Sequence, residues 1–327
     1  MKFNFNMEYG KKIKLLSGII VLLLVLYITG TIFSSVNINK KKTLEPVFNK
    51  TLIGKISAIK IDMETGNILL QKEDKKWSYT YNGKKYPASA DRIENFIDSV
   101  SKITKYQLAG SNSKIWDKFD LVEGKSKNAF FYDSSNGELF SLHIGKGGPA
   151  SGSGEYIRTS LSDEVFLLDA PIVRYFLQNT DYWSNLRVLQ EDVDSNNIAS
   201  VKIKTDKKFS ETMGMLNFSM KKESANKSFE WKDIASSKVI DRNNADMLLN
   251  NIASLTGDRF SEEYITNKNA EIELETDAYG RIIIDIKILE KQNVLFGIRG
   301  SDYRYEAALY KIERILNAVE RINEGLK

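Results

Sequence analysis

The chain has 327 residues, with 47 basic and 43 acidic side chains, one histidine and no cysteine. The lack of cysteine excludes disulfide bonds, thiolate metal ligands and cysteine nucleophiles. Seven lysines lie at or before Lys42, where Glu8 is the one acid, so residues 43–327 carry 40 basic and 42 acidic side chains and a net charge of −2. This balance argues against nucleic-acid binding by the bulk of the chain.

An uncharged apolar stretch near the N-terminus predicts a membrane anchor. No charged residue lies between Leu15 and Asn39, and most of the stretch is leucine, isoleucine and valine. A helix needs about 20 apolar residues to cross a bilayer core about 30 Å thick. We therefore predict a cytoplasmic tail at residues 1–14, a single transmembrane helix at residues 15–37 and a linker at residues 38–50.

The flanks of this stretch indicate how the anchor is oriented. The run is longer than the apolar core of a cleavable signal peptide, and no alanine pair follows it, which favours an uncleaved anchor. Lysines lie on both sides, so the positive-inside rule is nearly balanced, and they suit anionic headgroups. Because the tail is short and the anchor comes first, we expect a cytoplasmic N-terminus and a large extracytoplasmic domain on the inner (cytoplasmic) membrane.

Two small residues in this span suggest a helix-packing face. Gly30 and Ser34 are four residues apart, which places them on one side of a helix. Small residues at this spacing let a second transmembrane helix approach closely. We expect contact there with a membrane protein partner.

An internal repeat divides the remaining residues into two. Residues Ile56–Ile61 recur as Ile198–Ile203, and both segments alternate apolar and polar residues as strands do. Further strand-like segments follow each copy and end with a tryptophan, Trp77 in the first and Trp231 in the second. Because these two residues are related by the repeat, we expect both to pack in a core rather than to stack on a ligand.

Helical spacing of apolar residues follows in each copy. It predicts helices that begin at Ala90 and Ala245, a helix at Ile172–Leu177 behind Pro171, and a final helix with Leu309 and Ile322 on its apolar face. Strands between these helices read as meanders at 129–132, 139–144, 156–159, 165–168, 271–275, 281–289 and 294–299. We predict an α+β fold in which the transmembrane helix precedes two repeated lobes of antiparallel sheet with packed helices, at residues 51–190 and 191–327.

The order of several short motifs resembles the domain-of-unknown-function family 4340 (DUF4340). The motifs are Leu52–Ile61, Lys76-Trp77, Tyr86–Asp91, Trp116–Leu121, Leu142–Lys146, Glu155–Arg158, Val165–Asp169 and Asn185–Leu189. The resemblance covers roughly residues 51 to 189 directly and the second half through the repeat. It implies a membrane anchor, an extracytoplasmic domain and an association with ABC transport systems of the gliding-motility type, beside a permease and an auxiliary exported subunit. It implies no catalytic residues.

The sequence contains few residues that could form a catalytic site or a metal site. His143 is the one histidine, and its place in a strand beside a turn predicts an exposed side chain rather than a catalytic base. Zinc sites need several histidine or cysteine ligands and are excluded. Residues Asp192–Asn197 begin like a calcium loop, but the positions for glycine and glutamate hold Asn197 and Ile203, so we expect a turn. We therefore assign no cofactor and no metal.

A glycine-rich segment at residues 145–154 has the composition of a phosphate-binding loop. A P-loop ends in Gly-Lys-Ser/Thr and leads into a helix, whereas this segment leads into the strand-like Tyr156–Arg158. A flexible hairpin loop is the favoured interpretation. Its tip is a candidate partner-contact loop, formed by Gly147, Gly148, Gly152 and Gly154.

Three functions stay open at this point. The favoured one is a non-enzymatic accessory or scaffold subunit of an ABC-type transport system in the cell envelope. The second is an anchored envelope hydrolase, which would need two carboxylates facing each other across a cleft; Asp163-Glu164 and Glu262-Glu263 lie in turn or loop contexts instead. The third is a binding module for a wall polymer or a small ligand, using a groove between the lobes.

Overall fold

The structure, a computed structural model, describes residues 17–25, 27, 46–63, 66–105, 107–149, 154–169, 171–207, 209–210, 217–225, 228–289 and 292–327. The predicted tail, most of the predicted transmembrane helix with Gly30 and Ser34, most of the predicted linker, and Gly152 lie outside these residues. The first described segment, residues 17–25, is helical and is called α1 here. Within the described residues, no helix is both long enough and apolar enough to cross a membrane.

The residues that the structure describes after α1 contain two antiparallel sheets of nine strands each. The first contains β1 (Ala58–Met63), β2 (Gly66–Glu73), β3 (Lys76–Tyr81), β4 (Lys84–Pro87), β5 (Gln107–Gly110), β6 (Lys127–Tyr132), β7 (Glu138–Gly147), β8 (Glu155–Thr159) and β9 (Ser162–Leu167). The second contains β10 (Ile198–Thr205), β11 (Phe218–Ala225), β12 (Ser228–Asp233), β13 (Val239–Ile240), β14 (Arg259–Phe260), β15 (Ala270–Thr276), β16 (Gly280–Ile288), β17 (Asn293–Ile298) and β18 (Tyr305–Ala308).

Both sheets have the same strand order. The first runs β4-β3-β2-β1-β6-β7-β8-β9-β5, and the second runs β13-β12-β11-β10-β15-β16-β17-β18-β14. Each strand of the first sheet thus has its counterpart nine strands later. The predicted α+β fold with antiparallel sheets is confirmed, and the common order agrees with a duplicated unit. The lobe boundaries at residues 51–190 and 191–327 stay a prediction.

Helices pack on one face of each sheet. They are α2 (Lys50–Ile53), α3 (Ala90–Ser101), α4 (Thr180–Trp183), α5 (Arg242–Ala253) and α6 (Tyr310–Leu326). The two longer connecting helices, α3 and α5, each join one edge strand of their sheet to the other edge strand. Ile93, Phe96 and Val100 of α3 are buried at helical spacing, as the sequence predicts, and the same holds for Leu248 and Ile252 of α5.

Each lobe has its own hydrophobic core between sheet and helices. Trp77 on β3 is 5% exposed in the first core, and Trp231 on the counterpart strand β12 is 3% exposed in the second. The predicted core position of both tryptophans is confirmed. The chain enters the first lobe along Thr104, where Pro46 forms an isolated bridge and the Val47 N–H donates to the Ile103 carbonyl at 2.9 Å.

The predicted helix at Ile172–Leu177 is wrong. A single 3-10 turn at Val173–Tyr175 stands there instead. The backbone there closes i→i+3 hydrogen bonds, from the Tyr175 N–H to the Ile172 carbonyl at 3.2 Å and from the Phe176 N–H to the Val173 carbonyl at 2.8 Å, and Tyr175 and Phe176 are both buried in the core. The Asn179 side chain then caps the separate helix α4 by accepting from the Tyr182 N–H. The predicted final helix is confirmed as α6.

The segment between β5 and β6 must cross the sheet, because β5 lies at an edge and β6 in the middle. It crosses on the face opposite the helices, where Phe119 and Leu121 pack against Val165 in a small separate cluster. Gly145 on β7 lies directly below it, since a Cβ there would be 1.9 Å from the Phe119 carbonyl oxygen. Glycine is thus required at position 145 because of this close backbone approach.

Replacing Gly145 by alanine should therefore destabilise the fold. The clash is with a backbone atom and forces the crossing segment off the sheet, so we expect the Gly145→Ala variant to lose on the order of 3 kcal/mol of unfolding free energy. Urea denaturation of the purified protein measures this loss. Gly147→Ala is the matched control, because nothing lies within 4 Å of its Cβ position. Equal stability of the two variants would contradict the close approach.

Candidate functional site

His143 lies in a chain of polar side chains on the face of the first sheet opposite the helices. Its Nε2 is 3.1 Å from the Ser141 Oγ, and its Nδ1 is 2.8 Å from the Asn128 Oδ1. The Asn128 Nδ2 in turn donates to the Asp62 Oδ2 at 3.2 Å. The expectation of an exposed histidine is wrong, because the ring is half-buried within this network.

Strand register brings these four residues together. Phe140, Leu142 and Ile144 of β7 point into the core, so Ser141 and His143 point the other way. His143 is directly opposite Asn128 on β6, and β6 pairs in turn with β1, which carries Asp62. The network thus connects three neighbouring strands.

The surroundings keep the imidazole neutral. Burial lowers the pKa of His143 to about 4, and the positive charge of Arg158 on β8 acts in the same direction against the opposing effect of Asp62. A neutral ring has one donor and one acceptor. The arrangement that satisfies both neighbours has the Nδ1–H donating to Asn128 and Nε2 accepting from the Ser141 hydroxyl.

A serine, a histidine and an amide in this order have the roles of nucleophile, base and orienting group. The Ser141 side chain is only 3% exposed, however, so a substrate does not reach its hydroxyl. The Ser141 N–H is also engaged, since it donates to the Ser160 Oγ at 2.8 Å. The network is therefore built to hold β1, β6 and β7 together and not to attack a substrate.

Acid should weaken the fold through His143. An imidazole has a pKa of 6.5 when unperturbed and about 4 here, so between these values the unfolded chain binds the additional proton. The free energy of unfolding should then fall as the pH is lowered from 6.5 toward 4, by on the order of 2 kcal/mol for this partly screened ring. Denaturation curves across this range measure the slope.

The variant His143→Gln provides the comparison for this slope. Glutamine keeps an amide donor and acceptor between the same neighbours but does not titrate. The carboxylates contribute equally in both proteins, so the difference between the two pH profiles isolates the histidine. Parallel profiles would show that His143 has an ordinary pKa.

Three of the four acids considered for a hydrolase, Glu164, Glu262 and Glu263, form ion pairs with lysines. Glu164 bonds Lys105 at 2.8 Å and Glu263 bonds Lys287 at 2.6 Å. Glu262 accepts from Lys84, and this contact lowers the pKa of its carboxyl. These carboxylates are neutralised individually instead of facing each other, so they do not have the geometry of a glycosidase site.

The strongest ionic cluster lies on the second sheet. Glu271 on β15 accepts from Lys204 at 2.7 Å, from Lys268, and from Arg299 at 2.8 Å, and these bonds lower its pKa to about 2. Arg299 also bonds Asp285 at 2.6 Å. Charges of both signs alternate across the strands and neutralise one another. Over the described ranges, no group of three or more potential ligand residues is placed to hold a metal ion.

The calcium-like segment forms a turn. The Asp194 carboxylate accepts from the Asn196 N–H at 2.7 Å, and the Asn197 side chain closes the turn onto the Asp194 N–H at 2.9 Å. The Asp194 Oδ1 and the Asn197 Oδ1 thus both accept from backbone N–H groups of the turn. The predicted turn before the Ile198 strand is confirmed.

The glycine-rich segment connects β7 to its antiparallel neighbour β8. Gly147 pairs with Glu155, and the Gly148 N–H donates to the Gly154 carbonyl at 2.9 Å. The segment thus leads from strand to strand, unlike a P-loop. Partner contact through these glycines stays a prediction.

The contact between the two lobes is the largest feature that the sequence did not predict. A second connecting segment, residues 183–188, joins the two lobes and is called the linker from here on. It runs between edge strand β4 of the first sheet and the residues before edge strand β14 of the second. Four backbone hydrogen bonds of 2.8–3.0 Å hold it, two on each side: Ser89 to Trp183, Asn185 to Pro87, Gly257 to Leu186 and Val188 to Leu255. The linker therefore forms one isolated antiparallel bridge with each lobe, Ala88–Ser184 and Arg187–Thr256, and so connects the edges of the two sheets.

Aromatic side chains and one carboxylate reinforce this lobe junction. The rings of Tyr86 on β4 and Phe260 on β14 have centroids 4.9 Å apart, and Phe260 also contacts Tyr305 at 5.2 Å. The Glu262 carboxylate accepts from the Tyr86 hydroxyl and from Lys84, each at 2.7 Å. Phe260 packs against the cores of both lobes.

Truncation of Phe260 should uncouple the lobes. Removing a half-buried ring that both cores share should cost on the order of 2 kcal/mol, because a fully buried phenylalanine costs about 3–5 kcal/mol. Calorimetry of Phe260→Ala should show two separate transitions where the parent protein shows one. Leu108→Ala is the matched control, since Leu108 has the corresponding place on β5 but is 57% exposed. A single transition in both variants would contradict the coupling.

The sequence contains two features that bear on the lobe contact and the His143 network, neither of which it predicted. Residues Asn185–Leu189 form one of the short motifs, but their sequence does not show that this segment bonds to the backbone of both lobes. Asp62 and Asn128 sit at polar positions of alternating strands, and their contact with His143 depends on cross-strand register, which one sequence does not reveal.

Comparison with known proteins identifies one related family. The model of a family described as Domain of unknown function (DUF4340) matches residues 53–276, which is more than half of the chain. The matched region extends from the residues before β1 to the end of β15, so it includes the whole first sheet, the linker at residues 183–188 and the first six strands of the second sheet. No curated protein matches the chain.

Proposed function

This chain belongs to the DUF4340 family, and we propose that it is a membrane-anchored, extracytoplasmic protein that acts by binding other proteins. In this proposal it is a non-enzymatic accessory or scaffold subunit of an ABC-type transport system in the cell envelope. The ABC association rests on the resemblance, and the anchor rests on the N-terminal residues.

The observation that carries the proposal is the exposure of helix α1. Its large apolar side chains from Ile19 to Val25 are each between 47% and 60% exposed, and Tyr27 is 71% exposed. Apolar side chains exposed to this extent along a helix favour an apolar environment. A bilayer supplies it, and the lysines on both sides of the stretch suit its headgroups.

The folded part has the features of a scaffold. The shared linker makes one extended body from two sheets, which presents a large fixed surface to partners. Ser141 beside His143 is buried, and Glu164, Glu262 and Glu263 are paired with lysines, which supports a role without catalysis. The proposed contact of Gly30 and Ser34 with a permease helix lies outside the described residues and stays a prediction.

Membrane fractionation tests the anchor. The full chain should stay in the membrane pellet after alkaline carbonate washing. Protease added to cells with a permeabilised outer layer should remove the large domain while the inner membrane is intact. Protection of the domain until the inner membrane is broken would contradict the proposed orientation.

Charged substitutions in α1 make the same test specific. Leu22→Arg with Val25→Arg should release the protein into the soluble fraction, because each arginine at the centre of a span costs about 2.5–3.5 kcal/mol. Leu177→Arg is the matched control, since this leucine is 58% exposed on the first lobe. The control should stay membrane-bound and should retain any ABC permease that co-purifies with the parent protein. Membrane retention of the doubly substituted variant would contradict the anchor.

A further inference from the structure

The first lobe has a polar groove beside helix α3. It is a cavity of about 590 Å³ between α3 and the segment that follows β9. Asn95 and Ser99 of α3 form one wall, and Arg174, Gln178 and Tyr182 belong to the other side. Ligand sites typically have volumes of about 300–1,000 Å³, so the groove can hold a small molecule or a short stretch of polymer.

Comparison of the two lobes explains why the groove exists. Helices α3 and α5 are both 12 residues long, so Asn95 and Met247 are each the sixth residue, and Ser99 and Asn251 are each the tenth. In the second lobe, the side chains at these two positions contact helix α6. The Asn251 Nδ2 donates to the Arg314 carbonyl at 3.1 Å, and the Met247 Sδ accepts from the Arg321 Nη1 at 3.8 Å.

The first lobe has no long helix at this place. The 17 residues of α6 correspond to the 3-10 turn at Val173–Tyr175 and the four-residue helix α4. A long helix therefore covers this face of the connecting helix in the second lobe, whereas the same face of α3 is open in the first lobe. The side chains of α3 that would have held the helix face the groove instead.

The floor of the groove is closed and polar. Tyr175 is 4% exposed, so its ring completes the core. Its hydroxyl lies at the floor, 2.9 Å from the Ser99 Oγ and 3.1 Å from an Arg174 amino nitrogen. A ligand in the groove would therefore meet hydroxyls and a guanidinium, and not an apolar surface.

The walls add further hydrogen-bonding groups and few free charges. Asn95 and Gln178 contribute carboxamides, and Lys102 is paired with Asp98 at 2.5 Å. Beside the groove, the Arg92 guanidinium lies 5.0 Å from the centre of the Tyr182 ring and donates to the Asp181 carbonyl at 3.3 Å. The Gln178 Nε2 donates to the Arg174 carbonyl at 3.0 Å. An apolar helix here would bury the Asn95 carboxamide and the Gln178 amide oxygen, and a buried polar group without a partner costs about 1–3 kcal/mol. A ligand rich in hydroxyl groups would satisfy them.

We infer that this groove binds a polyhydroxylated ligand, a short stretch of glycan. Planar amide and guanidinium groups bond pairs of vicinal hydroxyls, and Asn95, Gln178 and Arg174 line the groove with such groups. The inference rests on the groove alone and does not depend on the transporter association, so either proposal can fail without the other.

Titration of the detergent-solubilised full chain with saccharides tests the inference. The probes are a neutral tetramer of N-acetylglucosamine and an anionic tetrasaccharide of alternating glucuronic acid and N-acetylglucosamine. Tryptophan fluorescence reports binding, because Trp183 contacts Tyr182 with ring centroids 5.0 Å apart. We expect saturable binding of at least one probe at millimolar concentration or below.

Variants of the groove make the titration specific. Asn95→Ala and Gln178→Ala should each weaken binding tenfold or more with unchanged melting, since both side chains lie at the surface of the lobe. Asn250→Ala is the matched control, because it removes an exposed carboxamide from the corresponding helix of the second lobe. Absence of saturable binding of both probes, or equal binding by the groove variants and the control, overturns the inference.

Discussion

The backbone pairing of the linker at residues 183–188 is the constraint on which the rest of the arrangement depends. A connection between two lobes is ordinarily a surface loop, and the lobes then move relative to each other. Here the linker gives its N–H and C=O groups to both sheets, so the junction is closed by hydrogen bonds of the same kind as those inside each sheet. The aromatic contact of Tyr86 with Phe260 and the Glu262 carboxylate can form only because this pairing brings two sheet edges together.

Local pattern predicted much of the fold and little of the candidate site. The spacing of Phe96 and Val100, or the alternation around Trp77, depends on one element and is visible in the sequence. The burial of His143 depends instead on which residue of β6 lies opposite it, a relation between strands that no local pattern contains. The failed helix at Ile172–Leu177 has a similar cause, because both Tyr175 and Phe176 are required by a core whose shape is set elsewhere.

The two copies of the unit have kept their topology and changed their use of one position. Strand order and the buried tryptophans of β3 and β12 are common to both, as expected for features that hold a sheet together. The place beside the connecting helix differs, since α6 completes the second core while Tyr175 and Phe176 complete the first. After a duplication the two lobes can differ in this way. Helix α6 fills the second core, whereas aromatic residues fill the first core and leave the adjacent surface open.

The contact of Pro46–Val47 with the first lobe shows how the two lobes are arranged along the molecule. Val47 bonds to Ile103 in the first lobe as Val188 bonds to Leu255 in the second, so each lobe receives the preceding chain at the same side. The lobes therefore follow each other head to tail, and the two ends of the body differ: β5 and the incoming chain are at one end, and β13 is at the other. The molecule is therefore polar along its length, because its two ends present different strands and different side chains to any partner.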